Sequence, residues 1–369
     1  MNLVVGAGIS GATIAYLLAD QLKERVLVID RKSHVAGNCH DYRDASGVMV
    51  HSYGSHIFHT SSQCVWNFLR KFTDFNQYMH QVIALIDGTY TTIPFNLNSL
   101  HAVFPKTLAN RLERKLLTVF GYNRKVPILE FQNQYDSDLR FLAEYIYEKV
   151  FLHYTTKQWG YRPEEIDGMV TARVPVYISK DNRYFQDVYQ GIPEDGYSRM
   201  IEKMLDHPNI ELQLSTDYRQ LVSSERFSRV FYTGAIDEFF GYEYGELPYR
   251  SVRFELKRCD QEFYQAGAVV NYPCNYDFTR IHEYKHYLND RTSCTVIAKE
   301  HSELFQLGRN ERYYPIPGER NVALYQRYLG KSKGVDNLYF LGRLGDYRYY
   351  DMDKAVARAM ELFKEVTSK

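Results

Sequence analysis

Apolar runs broken by glycine and helix-spaced stripes divide this chain into recognisable blocks. Leu3-Val4-Val5 runs straight into Gly6-Ala7-Gly8-Ile9-Ser10-Gly11, after which small and apolar residues over 12–18 carry a helical pattern. Arg25-Val26-Leu27-Val28-Ile29 reads as a second strand and ends in Asp30. Over 97–159 the period becomes helical: Leu108, Leu112, Leu116 and Val119 give one stripe, and Leu139, Leu142, Ile146 and Val150 give another. Strand-prone residues dominate 173–187 and again 249–296, where 250–256 alternates and 268–272 is a short apolar run, which predicts an antiparallel sheet. Between those blocks the pattern predicts a helix over 198–205, a strand over 210–214, and a strand over 229–233 that ends in Gly234. A late strand over 337–341 meets Gly342 and Arg343, and a helical run over 354–366 follows.

This order predicts an α/β fold with a discontinuous Rossmann-like domain over 1–75, 190–235 and 320–369. A helical domain over 96–160 is inserted, with an antiparallel sheet domain over 76–95, 161–189 and 236–319.

The first block carries chemistry. Gly6 permits a tight turn, Gly8 lets a pyrophosphate approach the backbone, and Gly11 lets helix and strand pack closely. The helix start offers unpaired N–H groups and a favourable dipole to phosphates. Asp30 stands where a carboxylate accepts from a ribose hydroxyl. The following Arg31-Lys32-Ser33-His34-Val35-Ala36-Gly37-Asn38 resembles the R-x-x-x-x-G-G-N extension of many FAD enzymes, with Ala36 in place of the first glycine. The late strand and helix agree with FAD, because N–H groups at such a helix start stabilise the negative charge of a reduced flavin ring.

Composition narrows the rest. Basic and acidic residues number 45 each, so charge gives no reason to expect nucleic acid or an anionic membrane as partner. Five widely spaced cysteines without a CxxC pair argue for reduced thiols rather than a disulfide framework or zinc site. No run approaches the roughly 18 apolar residues of a membrane helix, and the N-terminus lacks a signal-peptide pattern; the expectation is a soluble, cytoplasmic protein. Tyrosine is abundant, at 33 residues, and serves packing or a polar ligand. No G-x-S-x-G, H-E-x-x-H or P-loop is present. His56 and His59 are spaced to share a helical face, but no third ligand accompanies them, so no metal is expected.

Further motifs carry a specific resemblance. Gly54-Ser55-His56-Ile57-Phe58-His59-Thr60, Ile93-Pro94-Phe95-Asn96, Tyr154-Thr155-Thr156-Lys157-Gln158-Trp159-Gly160, Arg173-Val174-Pro175-Val176, Tyr189-Gln190-Gly191-Ile192-Pro193, Tyr313-Tyr314-Pro315 and Tyr347-Arg348-Tyr349-Tyr350-Asp351-Met352 resemble the bacterial UDP-galactopyranose mutases, in order and across nearly the whole chain. The resemblance implies three parts (an FAD domain, a helical domain and a twisted antiparallel sheet) and a homodimer. It implies an isomerase, active with reduced FAD, that interconverts UDP-galactopyranose and UDP-galactofuranose by ring contraction, making the furanose for cell-surface polysaccharide. N5 of the flavin is the nucleophile at the anomeric carbon, UDP is the leaving group, and there is no net redox change. A flavin reductant linked to NAD(P)H is then required.

Residue by residue, the resemblance implies that Arg173 and Arg280 clamp the diphosphate, where forked guanidinium bonds suit phosphate oxygens. Tyr184, Tyr313 and Tyr349 match tyrosines that donate to the phosphates. Phe151, Tyr154 and Phe185 match the wall around uridine, with Thr155 beside it and Asn271 as a uracil partner. Trp159 matches the sugar end of a mobile loop, and the segment 171–187 is expected to close over substrate. His59, Arg343, Asp351 and Met352 match positions at the flavin, joined by Gly6, Gly8, Ser10, Gly11, Asp30, Arg31, Gly37, Asn38 and His56. His59, Arg173, Arg280 and Arg343 are the catalytic candidates. Three alternatives stay open: an FAD oxidoreductase of the amine-oxidase type, a flavoprotein that binds nucleotide-sugar without turnover, and a mutase that also accepts UDP-N-acetylgalactosamine.

Overall fold

The computed structural model describes residues 1–165, 174–221 and 226–368. The chain forms two compact units, Met1–Tyr78 with Asp187–Arg250 and Phe305–Lys369, and Met79–Gln186 with Ser251–Leu304. Residues 236–250 and 305–319, grouped above with the sheet domain, fall in the first unit, and the helices over 97–159 share the second unit with the sheet.

The first unit is built on a parallel sheet in the order Ile210–Gln213, Val26–Ile29, Asn2–Val5, Val230–Tyr232, Leu338–Phe340. Its central strands are apolar runs because a parallel sheet covered on both faces has no solvent side. Helix Ile9–Gln21 is buried around nearly all its circumference and packs against the C-terminal helix Met352–Thr367. That explains why the N-terminal helix reads as small and apolar rather than amphipathic. Tyrosine fills much of the neighbouring core: Tyr232, Tyr249, Tyr328 and Tyr347 are buried together with Ile236, Leu247 and Phe340. Two of the hydroxyls find backbone partners, Tyr328 donating to Gly245 O at 2.7 Å and Tyr347 to Pro248 O at 2.8 Å, while that of Tyr249 is buried without one.

The second unit holds a sheet in the order Tyr249–Cys259, Thr295–Leu304, Arg280–Glu283, Val269–Asn271, Val82–Ile86, Thr89–Ile93. It is not purely antiparallel, since Val269–Asn271 runs parallel to Val82–Ile86. Those two strands are far apart in the chain, and the helical insertion supplies the long connection a parallel pair needs. Alternation sorts its faces. Val270, Tyr272, Phe278, Ile281 and Ile297 form a buried cluster on one side, which leaves Asn271, Arg280 and Glu300 for the other.

The helical stripes are partly corrected. Leu139, Leu142, Ile146 and Val150 are all buried, as their spacing predicts. In helix Lys106–Phe120 the buried residues are Ala109, Leu112 and Leu116, while Val119 is exposed and Leu108 only half-buried. The stripe keeps Leu112 and Leu116 but takes in Ala109, whose weak hydrophobicity hides it in the pattern. Among the described residues of the strand-prone stretch, 174–187, only Val176–Ile178 is a strand, paired antiparallel with Arg124–Val126. Beyond it the side chains of Ser179 and Asp181 accept from the N–H groups of Asp181 and Arg183, a turn chemistry that competes with strand formation.

Candidate functional site

The glycine fingerprint forms a close-packed turn. Gly6 has a φ of +110°, and a Cβ there would meet Thr233 Oγ1 at 1.9 Å. A Cβ at Gly11 would lie 1.9 Å from Gly6 O. Both positions therefore require glycine. Helix Ile9–Gln21 starts at Gly8 with no side-chain cap and no acid in its first turn, so its amides and dipole are left to an anionic ligand. Asp30 accepts from Ala7 N and from Lys32 N, each at 2.8 Å, which ties the second strand to the glycine turn.

The 36–38 extension comes back to the same turn. Ala36 N donates to Ala7 O at 2.9 Å, and Ala36 bridges Gly8. Ala36 adopts φ 71°, the left-handed conformation that explains glycine in the usual pattern. Gly37 and Asn38 lie in the short helical turn Gly37–Cys39. Gly342 arrives from the late strand, and a Cβ on it would be 3.1 Å from Ser10 Oγ. The N-terminal and C-terminal motifs therefore converge. Asp351 caps the C-terminal helix by position, without a side-chain capping bond, and Met352 opens it, mostly buried. Arg31 is exposed and reaches toward Glu238 and Glu311 at 3.4 Å each.

His59 lies in strand Phe58–Thr60, not on a helix, so the spacing of His56 and His59 does not bring them onto one face. His59 Nδ1 is 2.7 Å from Asp187 Oδ2, while His56 Nδ1 is 2.7 Å from Gly54 O. Among the described residues no group of three or more His, Cys, Asp or Glu is placed to hold a metal ion. The five cysteines carry no disulfide.

Arg343 donates to Tyr350 O at 2.7 Å, and its guanidinium carbon is 5.1 Å from the ring centres of both Tyr314 and Tyr349. Those two rings stack at 5.4 Å. Tyr349 and Arg343 therefore form one aromatic–cation cluster, with Tyr313 buried next in sequence to Tyr314.

In the second unit, sheet register sets Asn271 directly opposite Arg280, and Arg280 opposite Glu300. Asn271 Oδ1 is buried without a hydrogen-bond partner, an acceptor left for a ligand. Arg280 Nε donates to Glu300 Oε2 at 2.8 Å. His282 Nε2 donates to the same oxygen at 2.9 Å, and Thr279 Oγ1 reaches Glu300 Oε1 at 3.2 Å. Burial pushes the Glu300 carboxyl upward, but the Arg280 charge and the His282 bond outweigh it and hold the group well below its ordinary value. Burial keeps His282 below the usual histidine range. The pair is thus carboxylate and neutral imidazole near pH 7.

The 154–160 motif stands beside this face. A π-helical turn, Tyr147–Leu152, leads into helix His153–Trp159. Phe151, Thr155 and Trp159 fall on one buried side at helical spacing. Lys157 crosses to the sheet and donates to Tyr272 O, Tyr276 O and Phe278 O at 2.5, 3.1 and 2.9 Å. Burial lowers its ammonium to about 8. The motif lysine is therefore a tether between this helix and the turn joining the Asn271 and Arg280 strands. Tyr184 and Phe185 pack edge to face at 4.9 Å, beside His80. Arg173 and the start of the expected closing segment, 171–173, lie outside the described residues.

Sequence reading missed Glu300, His282, Thr279 and Asp187. Glu300 carried no clear signal, since Lys299 and His301 flank it in the sequence.

Comparison with known proteins bears on family and fold. A family model described as UDP-galactopyranose mutase matches residues 149–349, and one described as an NAD(P)-binding Rossmann-like domain matches 4–72. The chain is 39% identical to a probable UDP-galactopyranose mutase of Klebsiella pneumoniae, covering 99% of this chain and 94% of that protein. It is 37% identical to a dTDP-fucopyranose mutase of Escherichia coli, covering 97% of this chain and 96% of that protein. The fold matches a crystal structure of reduced UDP-galactopyranose mutase with a TM-score of 0.73 at 15% identity, covering 100% of this chain and 93% of that one. No helix among the described residues is long and apolar enough to cross a membrane. With identity at this level over nearly its full length, the chain belongs to the UDP-galactopyranose mutase family.

Proposed function

We propose that this protein interconverts UDP-galactopyranose and UDP-galactofuranose, with FAD as its bound, reduced cofactor. The observation that carries the reading is Arg280, a partly exposed arginine held on the sheet by a buried carboxylate, opposite Asn271 with its unpartnered acceptor. A fixed guanidinium suits a diphosphate, and an amide suits a base edge.

FAD fits the residues present. Gly6 and Gly11 admit no side chain, the first helix offers uncapped amides, and Gly342 closes from the other end of the chain. Gly6, Gly8, Ser10, Gly11 and Asp30 would hold its ADP half, and Arg343, Asp351 and Met352 its ring end. When bound and reduced, it supplies the nucleophile at the anomeric carbon.

The chain's own residues then bind and orient. Arg280, joined by Arg173, Tyr184, Tyr313 and Tyr349, would neutralise the diphosphate, first as substrate and then as leaving group. Phe151, Tyr154, Thr155 and Phe185 would receive the nucleoside. Trp159 and His59 would bound the sugar and hold it without water. A homodimer and an NAD(P)H-linked reductant belong to the same reading.

A second reading, a dTDP-fucopyranose substrate, is favoured by the relative of that name at 37% identity. The test incubates the purified, dithionite-reduced protein with UDP-galactofuranose and, in parallel, with dTDP-fucofuranose. UDP-galactopyranose as the faster-formed product is expected. Faster conversion of the thymidine sugar selects the second reading. No isomerisation of either, with flavin bound, sinks both, and stoichiometric oxygen consumption would select an oxidase.

A further inference from the structure

We propose that His282 and Thr279 are positioning residues for Arg280, acting through Glu300 to hold the guanidinium ready for a diphosphate. The proposal rests on the functional reading above.

A long, partly exposed arginine side chain is a poor clamp by itself. Its side chain carries about 2 kcal/mol of rotamer entropy that binding must remove. Here that freedom is removed in advance. Arg280 bonds Glu300 through Nε, and its side chain keeps 23% exposure while that of Glu300 is 4% exposed. The anchor is thus buried, while the arginine side chain keeps part of its surface. A lone carboxylate can still turn about its terminal bond, which would swing the arginine with it. Here Oε2 is held by His282, and Oε1 lies 3.2 Å from the Thr279 hydroxyl, which shares its one proton between that oxygen and Glu300 O at 3.0 Å.

The neighbours make a stabilising role an unconvincing explanation. Across the strands, His282 faces Val269 and Ala298, and Asn271 faces Ala84. These are small or apolar positions, where an apolar residue at 282 would pack without desolvating an imidazole. Burying a carboxylate, an imidazole and a hydroxyl in one network costs solvation that packing alone does not require. An orienting role accounts for all three at once.

The experiment titrates UDP and uridine into the FAD-loaded full-length protein and into His282→Leu, His282→Gln and Thr279→Val. Uridine has the base and ribose but no diphosphate. His282→Leu is expected to weaken UDP binding about 10-fold, and Thr279→Val about 3-fold, with uridine affinity unchanged, as for loss of one bond to a charged group. His282→Gln keeps an N–H donor and should stay within about 3-fold of wild type. Unchanged UDP affinity in both His282→Leu and Thr279→Val overturns the proposal. So does an equal loss for UDP and uridine, the mark of a general packing defect. If His282→Leu does not fold, the Thr279→Val comparison decides alone. A wild-type protein that binds no UDP overturns the functional reading, and this proposal with it.

Discussion

His59 and Asp187 are joined at 2.7 Å, Nδ1 to Oδ2, although 128 positions separate them in the chain. Strands Phe58–Thr60 and Tyr189–Gly191 pair antiparallel, with His59 opposite Gln190, which brings Asp187 alongside. Ser61 donates to the other Asp187 oxygen at 2.5 Å. A carboxylate so placed fixes which imidazole nitrogen carries the proton and how the ring is turned. Burial raises the Asp187 carboxyl, but the Ser61 and His59 bonds outweigh it, so the group sits below its ordinary 3.8. Its contribution to stability is present above pH 3.8 and is lost as pH falls through the lower folded value. Asp187→Leu should reduce turnover about 10-fold with flavin content unchanged, and its unfolding midpoint should converge with wild type in acid. Turnover equal to wild type at pH 7 would detach Asp187 from His59's task.

Gly11→Ala tests the cradle. The new Cβ would lie 1.9 Å from Gly6 O and 3.0 Å from Gly6 C, and neither is a flexible side-chain end. Helix and strand must separate, at a cost of about 3 kcal/mol or more by analogy with severe overpacking. The variant should purify without flavin absorbance and melt earlier. Normal flavin content would mean that the turn tolerates a shift it has no visible room for.

Ala36 makes a complementary case at the same turn. Its φ of 71° costs a non-glycine residue about 1–2 kcal/mol. Glycine would relieve that strain but lose a buried methyl and add freedom to the unfolded chain, so Ala36→Gly should change stability by less than about 1 kcal/mol. Ala36→Val adds a branched side chain to a left-handed position and should destabilise by more than about 2 kcal/mol. Denaturant unfolding of the pair checks both, and equal effects would remove backbone strain as the explanation.

Local chemistry made the first unit legible and long-range register hid part of the second. Gly6, Gly8, Gly11 and Asp30 fall within one strand–helix–strand unit, and each answers a constraint imposed by that unit. The strand Val230–Tyr232 and the late strand Leu338–Phe340 were also visible, because parallel central strands must be apolar throughout. Glu300 was invisible as a partner of Arg280 because only the pairing of strands Arg280–Glu283 and Thr295–Leu304 puts the two opposite. Nothing in the spacing of the two residues predicts that register. Lys157 shows the same limit in reverse, since a motif residue that looks chemical proves to be a tether. The stretch over 181–187 looked like a strand by composition and is shaped instead by Asp181 accepting from Arg183 N.

Asp346 gives the sharpest pH prediction. It lies in the turn before the C-terminal helix, and burial raises its carboxyl from 3.8 to about 6, with the Arg358 charge and a Tyr350 hydrogen bond only partly opposing. Its Oδ2 is buried without a hydrogen-bond partner, and Arg358 Nε stands 3.8 Å away, beyond hydrogen-bond reach. For an acid whose folded pKa is raised, the folded state binds the proton more tightly than the unfolded chain does. The wild-type protein therefore loses stability as pH rises from 3.8 to about 6, and the penalty is complete above that. A shift of that size corresponds to an order of 3 kcal/mol. Asp346→Asn cannot ionise, so it should exceed wild type in stability at pH 7.5 and match it near pH 3.5, below both values. Urea unfolding at the two pH values reads the difference. A variant less stable than wild type at pH 7.5 would show that the Arg358 attraction exceeds the cost of burying the charge.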